Sequence, residues 1–128
     1  MRQANKMLPK SFISLMALLF IAIMGISAPS YGEEKNPKVA WEHIQQGAMV
    51  VDVRTPEEFA EGHLENAINI PFENIAEEFT KRNIAKDQSV VLYCRSGRRS
   101  GIAQESLIKL GYSNTYNGGG YQSLANKQ

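Results

Sequence analysis

Along most of the chain, two kinds of pattern of apolar and polar residues follow one another in turn. One kind predicts strands and the other predicts helices. Short β-branched or apolar runs bounded by turn residues predict buried strands. Segments that begin and end with helix-capping residues predict helices. The predicted strands are residues 49–53, 67–70, 90–94 and, more weakly, 114–116 before a glycine turn at 118–120. The predicted helices are residues 37–46, a segment from the cap at Thr55 to the stop at Gly62, residues 73–82, residues 100–110 and a last turn at 121–127.

The order of these elements predicts an α/β fold. Strands alternate with helices, and the connections are long enough for neighbouring strands to run parallel. Because apolar strands of this kind are buried on both faces, we expect a central, mostly parallel sheet covered by helices on both faces. The helix positions expected to face the core are Ile75, Ala76 and Phe79, followed by Ile102, Ala103, Leu107 and Leu110.

The first 32 residues predict a secretory signal peptide. The segment starts with three basic residues and no acidic one: Arg2, Lys6 and Lys10. An apolar run follows at residues 12–26, and small residues are frequent at 27–32. We expect cleavage after Gly32, with Ser30 as the alternative, which leaves residues 33–128 as a single domain. The apolar run is short for a transmembrane helix, and an uncleaved membrane anchor stays open as the second interpretation.

The charge of the chain argues against nucleic acid as a partner. The full sequence has 14 basic and 13 acidic residues, and the predicted signal peptide takes three of the basic ones, so a net charge of −2 remains. Proteins that bind nucleic acid usually carry a basic patch or tail, and none is visible here. His43 and His63 lack partners at metal-ligand spacing, so we do not expect a zinc site.

Cys94 is the only cysteine, and that count leaves three interpretations open. It could be a buried apolar residue, one half of an intermolecular disulfide or a reactive thiol. Its position favours the reactive thiol, because it ends the clearest strand shortly before a helix begins. Backbone N–H groups at a helix start favour an anion, and Gly97 lets the loop curl around it. We expect a nucleophilic thiolate inside an anion site.

Side chains on both sides of Cys94 are candidates for this site. The candidate substrate-binding residues are Arg95, Ser96, Gly97, Arg98 and Arg99. Among the arginines, Arg95 and Arg99 are expected to face the substrate, whereas Arg98 could equally lie in solvent. Asp52 and Arg54 end an earlier strand near the same sheet edge. We expect them to support the loop through a salt bridge or hydrogen bonds rather than to take part directly in catalysis.

Four segments of the sequence resemble the rhodanese family in the same order along the chain. The loop CRSGRR at residues 94–99 is similar to the family's active-site loop, and DVR at 52–54 to its early acidic segment. Residues 62–71 (GHLENAINIP) and 118–121 (GGGY) are similar to two further family segments. Asn66 and Tyr121 depart from the glycine and tryptophan that the family often has there. The resemblance is greatest to single-domain periplasmic thiosulfate sulfurtransferases of the phage-shock type.

The resemblance implies a rhodanese-like domain and a sulfur-transfer reaction. Cys94 would take the outer sulfur of thiosulfate, release sulfite and pass the sulfur from a persulfide to cyanide or a thiol. Such covalent catalysis requires no metal or organic cofactor. The six-residue loop from Cys94 to Arg99 favours sulfur as substrate, since related phosphatases and arsenate reductases have a longer loop. A small phosphatase or arsenate reductase is therefore the less favoured enzyme.

A non-catalytic persulfide carrier or interaction module is the alternative from a different functional class, because it needs the same activated thiol. The implied partners are a small anionic sulfur donor and a thiophilic acceptor. We expect a monomer in the periplasm, without stable membrane insertion after cleavage. In an oxidising compartment, an exposed Cys94 would be open to glutathionylation or dimerisation.

Overall fold

The computed structural model describes residues 36–127, so the predicted signal peptide lies outside the described residues. Within residues 36–127 the sheet has four strands, all paired in parallel, in the order β2-β1-β3-β4. They are β1 (Met49–Asp52), β2 (Ile68–Asn69), β3 (Val90–Cys94) and β4 (Thr115–Gly120). The predicted α/β class with a parallel sheet is confirmed.

Helices precede, connect and follow these strands, and their bounds are close to the predicted ones. They are α1 (Pro37–Gln45), α2 (Pro56–Glu61), α3 (Ile75–Lys81) after a 3₁₀ turn at Phe72–Asn74, α4 (Arg98–Lys109) and α5 (Tyr121–Asn126). The capping pattern predicted at Thr55 is present: its hydroxyl oxygen accepts the Glu58 N–H, and the Glu58 carboxylate accepts the Thr55 N–H. In the part of the chain that the structure describes, no helix is long and apolar enough to cross a membrane.

Both faces of the sheet are buried under helices, as predicted. Alternate residues of β3 point to opposite faces, since side chains in a strand alternate. Val90, Leu92 and Cys94 belong to a core that includes residues of α3 and α4. Val91 and Tyr93 belong to a second core, which includes residues of α1 and α5. The side chain of Cys94 therefore lies on the α4 side of the sheet, fully buried.

The prediction of which residues form the buried face of α4 was partly wrong. Ala103 and Leu107 are buried, but Ile102 is 40% exposed and Leu110 is 37% exposed. The buried stripe instead contains two polar residues, Ser100 and Gln104, at helical spacing from Ala103 and Leu107. Hydrogen bonds offset part of the cost of that burial: the Ser100 hydroxyl donates to Asn117, and the Gln104 amide nitrogen donates to the Thr115 carbonyl, whereas the Gln104 side-chain oxygen has no partner among the described residues. Apolar residues alone could not identify a face built in this way.

The start of α4 and the course of β4 also differ from expectation. The helix begins at Arg98, two residues before the predicted start at Ser100. The glycines at 118–120 were predicted to form a turn, but they are part of β4, and the pairing with β3 skips Gly118. A Cβ atom on Gly120 would overlap the carbonyl oxygen of Arg95. Glycine therefore allows β4 to lie directly against the loop that follows Cys94.

The ion pair between Glu58 and Arg99 joins α2 to the start of α4. Arg99 Nη1 and Nη2 donate to the two carboxylate oxygens of Glu58 at 2.9 and 3.1 Å. The Arg99 hydrogen bonds, followed by that from the Thr55 N–H, lower the pKa of Glu58 to about 2. A bidentate pair of this kind fixes orientation as well as distance. It sets the position of α2 relative to the loop that precedes α4.

Glu58→Gln should destabilise the fold in a pH-dependent way. Glutamine can still serve the capping box, so the substitution mainly removes the charge. The lowered pKa means that the charge stabilises the fold above the ordinary pKa of 4.5 and stops doing so as the pH falls towards about 2. We expect a loss of roughly 1 kcal/mol in unfolding free energy at neutral pH, after allowance for solvent screening.

Urea unfolding at several pH values would measure this difference, which should shrink as the pH is lowered. Glu57→Gln is the matched control, because Glu57 is an exposed carboxylate in the first turn of the same helix. Equal losses of unfolding free energy in the two variants would contradict a stabilising role for the Glu58 charge. A loss in Glu58→Gln that does not depend on pH would contradict it as well.

Candidate active site

The loop after β3 wraps its backbone around the sulfur of Cys94. Gly97 adopts a left-handed conformation, with φ of 100°, and its N–H donates to Cys94 Sγ at 2.9 Å. The hydroxyl oxygen of Ser100, in the first turn of α4, lies 3.5 Å from the same sulfur. The expectation of an exposed thiol was wrong, since Cys94 is fully buried. Arg95 and Ser96 form the exposed outer side of the loop.

Hydrogen bonds to Cys94 decide the charge state of its thiol. Burial raises the pKa, because it disfavours the charged form. The Ser100 hydroxyl and the backbone N–H groups of Ser100, Ser96 and Gly97 act in the opposite direction and outweigh burial. The pKa of Cys94 is therefore lower than that of an ordinary cysteine. The loop stabilises a thiolate mainly through dipoles held at short distance.

The three arginines of the loop occupy different environments. Arg99 is partly buried and pairs with Glu58. The Arg95 side chain is 76% exposed, with its Nε 3.8 Å from Glu58 Oε2, and Arg98 is exposed. Glu58 therefore offsets part of the positive charge that the sequence places around the thiol. The sequence pattern did not indicate this ion pair, because residues 55–58 predicted only the start of a helix.

Asp52 and Arg54 form a buried ion pair at the end of β1. Arg54 Nη2 lies 2.6 Å from Asp52 Oδ2 and also donates to the carbonyl oxygen of Gly62 at 2.7 Å. The hydrogen bonds that Arg54 donates to the Asp52 carboxylate raise the pKa of Arg54 further, so its charge is permanent. The guanidinium lies over the ring of Tyr121, at 4.7 Å from the ring centre. The pair therefore positions the Gly62 turn and Tyr121, beside the loop.

Asn117 is a buried polar residue at this site that the sequence did not identify. It lies on β4, where its side-chain oxygen accepts the Ser100 hydroxyl at 2.7 Å and the Gly119 N–H at 3.0 Å. Its side-chain nitrogen donates to the carbonyl oxygen of Gly97 at 2.9 Å. The available signal was a polar residue next to three glycines, in the segment that lies against the loop after β3.

A pocket of about 200 Å³ opens beside the loop. Its lining carries both charges: Arg54, Glu58, Glu61, Gly62, Arg95, Tyr121 and Gln122. Arg95 is the member of the Cys94–Arg99 loop in this lining, so the pocket adjoins the outer side of the loop. A volume of this size suits a small polar molecule rather than a drug-sized ligand.

Comparisons with known proteins agree with this geometry. A model of the family "Rhodanese-like domain" matches residues 36–127. The chain is 39% identical over 75 residues to "Thiosulfate sulfurtransferase PspE" of Escherichia coli, which covers 59% of this chain and 72% of that protein. It is 34% identical over 97 residues to "Thiosulfate:glutathione sulfurtransferase" of Saccharomyces cerevisiae, covering 67% of this chain and 69% of that protein. The chain spans 58%, 63% and 65% of three further curated relatives.

A solved structure supports the same conclusion. It is described as "rhodanese with anions from E. coli" and superimposes with a TM-score of 0.58 at 37% sequence identity. The match covers 62% of this chain and 93% of that one. The family model spans all of the described residues, including the sheet and helices that hold Cys94. This chain belongs to the rhodanese-like domain family.

Proposed function

We propose that this chain is a thiosulfate sulfurtransferase that carries sulfur as a persulfide on Cys94. The observation that supports it best is the six-residue loop whose N–H groups converge on the Cys94 sulfur. Such a loop stabilises a thiolate before reaction and a persulfide after it. Among the relatives, the names of the Escherichia coli and Saccharomyces cerevisiae proteins both state a thiosulfate sulfurtransferase activity.

The reaction follows from the charge on the sulfur atoms. In the loading step, the Cys94 thiolate attacks the outer sulfur of thiosulfate, and the S–S bond of thiosulfate breaks. Its electron pair leaves with sulfite, and the persulfide keeps a negative charge on its outer sulfur. In the release step, cyanide or a thiolate acceptor attacks that outer sulfur. The bond to Sγ then breaks, and its electron pair restores the Cys94 thiolate.

Each candidate residue has a role in this cycle. The N–H groups around Cys94 hold the negative charge as it moves between sulfur atoms, as donors in an oxyanion hole do. Arg95 and Arg98 are exposed at the loop and attract the anionic donor. Arg99 holds the start of α4 on Glu58, and Ser96 and Gly97 contribute backbone donors. Asp52 and Arg54 support the Gly62 turn and Tyr121 at the neighbouring pocket.

Export is the proposed setting of this activity. The positive start, apolar run and small residues of the first 32 positions are typical of a secretory signal peptide. The mature protein would act in the periplasm as a monomer, where it meets small anionic sulfur donors and thiophilic acceptors.

Persulfide formation is the most direct test of the activity. Mixing the mature protein with thiosulfate should raise its intact mass by one sulfur atom, and cyanide should remove that mass and yield thiocyanate. Cys94→Ser should show neither change, because its hydroxyl cannot hold the sulfur. Turnover of a phosphate ester without any reaction with thiosulfate would instead favour a phosphatase. A stable persulfide that no small acceptor discharges would favour a carrier.

The lowered pKa of Cys94 predicts a pH profile. Thiolate absorbance in the ultraviolet should appear at lower pH than for a free cysteine thiol, whose pKa is about 8.5. The pKa shift is downward because the hydrogen bonds to Sγ favour the deprotonated thiolate over the protonated thiol. Cys94→Ser gives the background, since Cys94 is the only cysteine. A midpoint at or above that of the free thiol would refute an activated nucleophile.

Cleavage of the signal peptide can be checked on the secreted product. Expression of the full chain in a bacterium should give a periplasmic protein whose N-terminal sequence begins at Glu33. Replacing Leu18 and Leu19 by Arg should break the apolar run and keep the precursor in the cytoplasm. A full-length protein retained in the membrane fraction would support the anchor interpretation instead.

A further inference from the structure

A chain of hydrogen bonds connects Cys94 to β4 through two buried side chains. Ser100 is fully buried, with its hydroxyl oxygen 3.5 Å from Cys94 Sγ and 2.7 Å from Asn117 Oδ1. Asn117 is 2% exposed. The cycle described above assigns no step to either side chain. Ser100 nevertheless lies next to the reacting sulfur, and Asn117 is one hydrogen bond further away. Buried polar groups of this kind are conformationally constrained by their partners.

The partners of Asn117 fix which way its amide points. Gly119 N–H can donate only to the amide oxygen, and the Gly97 carbonyl can accept only from the amide nitrogen. Both bonds would be lost if the amide turned over. The oxygen that faces Ser100 is therefore a permanent acceptor, so the hydroxyl hydrogen of Ser100 can always be placed there.

Ser100 has one hydroxyl hydrogen and two acceptors within reach. Cys94 Sγ needs that hydrogen when it is a thiolate, because a buried anion is costly without donors. Sγ does not need it in the persulfide, where the negative charge is on the outer sulfur. The hydrogen can then be donated to Asn117 Oδ1 without leaving a polar atom unpaired. A small rotation of the hydroxyl hydrogen is enough to exchange the two arrangements, since hydroxyl hydrogens rotate to suit their partners.

We propose that the Ser100 hydroxyl stabilises Cys94 Sγ as the leaving group of the sulfur-release step, and that Asn117 is a positioning residue for this hydroxyl. This inference rests on the persulfide cycle and assigns to it a donor outside the backbone loop. Ser100 contacts the reacting atom, whereas Asn117 acts through Ser100 and through the Gly97 carbonyl. The arrangement works in both halves of the cycle because Asn117 accepts the hydrogen whenever Sγ does not.

The two half-reactions should respond oppositely to loss of the hydroxyl. In sulfur loading, Sγ is the nucleophile, and a less stabilised thiolate attacks faster. In sulfur release, Sγ is the leaving group, and a less stabilised thiolate leaves more slowly. A hydrogen bond to a charged group is strong enough for the ratio of the two rate constants to change by roughly threefold or more. A purely structural defect would slow both steps or lower the melting temperature.

Ser100→Ala is the variant that tests the role of the hydroxyl. Rapid-quench mass spectrometry would follow persulfide formation from thiosulfate and its discharge to cyanide, at a pH where the thiolate is fully formed in each protein. We expect loading to be unchanged or faster and discharge to be roughly three- to tenfold slower, because charge only partly develops in the transition state. Ser100→Thr keeps the hydroxyl and should restore discharge.

Ser106→Ala is the matched control on the same helix. Ser106 lies six residues further along α4, and its hydroxyl donates to the Ile102 carbonyl rather than to the site. It should leave both half-reactions at their original rates. Equal slowing of loading and discharge in Ser100→Ala, or no change in their ratio, would overturn the proposed role of Ser100.

Asn117→Ala tests the positioning role through its coupling with Ser100. As a single substitution, Asn117→Ala should slow discharge more than loading, as Ser100→Ala does. When Ser100→Ala is already present, Asn117→Ala should change the ratio of the two rate constants much less, since the hydroxyl that Asn117 positions is gone. An equal effect with and without the hydroxyl would show that Asn117 acts on the loop alone. If Asn117→Ala does not fold, the Ser100 variants still decide the main claim.

These outcomes separate the inference from the function on which it rests. If the unmodified protein forms no persulfide with thiosulfate, the sulfurtransferase assignment fails. If it forms and discharges the persulfide normally, while Ser100→Ala does so with an unchanged rate ratio, the assignment stands and the role of the hydroxyl is rejected.

Discussion

A sulfur anion removed from solvent must receive its hydrogen bonds from the protein, and this requirement at Cys94 explains most of the local architecture. Strand β3 is buried on both faces and delivers its last side chain beneath α4. The N–H groups that meet the sulfur come from the loop and the first turn of α4, and the left-handed Gly97 lets them converge. Burial alone would hold the thiol neutral. The converging donors reverse that preference.

Packing around the loop maintains this convergence. On one side, the glycine at position 120 lets β4 run against the Arg95 peptide, and Asn117 of the same strand holds the Gly97 carbonyl. On the other side, Glu58 holds Arg99 at the start of α4. A strand and a helix distant in sequence thus fix one short loop. In this way a small domain keeps a reactive group rigid through packing and hydrogen bonds.

The distribution of charge around the loop fits sulfur chemistry at the buried Sγ atom of Cys94. The full positive charge of Arg99 is largely balanced by Glu58, whereas Arg95 and Arg98 extend into solvent. Short-range dipoles therefore act on the buried sulfur, and the proposed role of the exposed guanidiniums is to attract anions that approach from outside. Dipoles that are already oriented need no reorganisation as charge moves from one sulfur atom to the next. The mixed charges of the adjoining pocket extend the polar surface beside the loop.

Local sequence patterns were enough to predict the element order, the parallel α/β class and the position of Cys94 at a strand end, because apolar runs and capping residues are local signals. They also located the loop and its glycine. The tertiary structure alone decided that Ser100 and Gln104 lie in the buried stripe of α4, that residues 118–120 are strand, and that Glu58 neutralises Arg99. Each of these depends on a partner far away in the chain: Ser100 is buried with Asn117 as the acceptor of its hydroxyl, and β4 continues to Gly120 because a residue without a Cβ atom fits against the Arg95 carbonyl. Local patterns carry no record of such partners, since a polar residue looks the same in sequence whether it meets water or a buried acceptor.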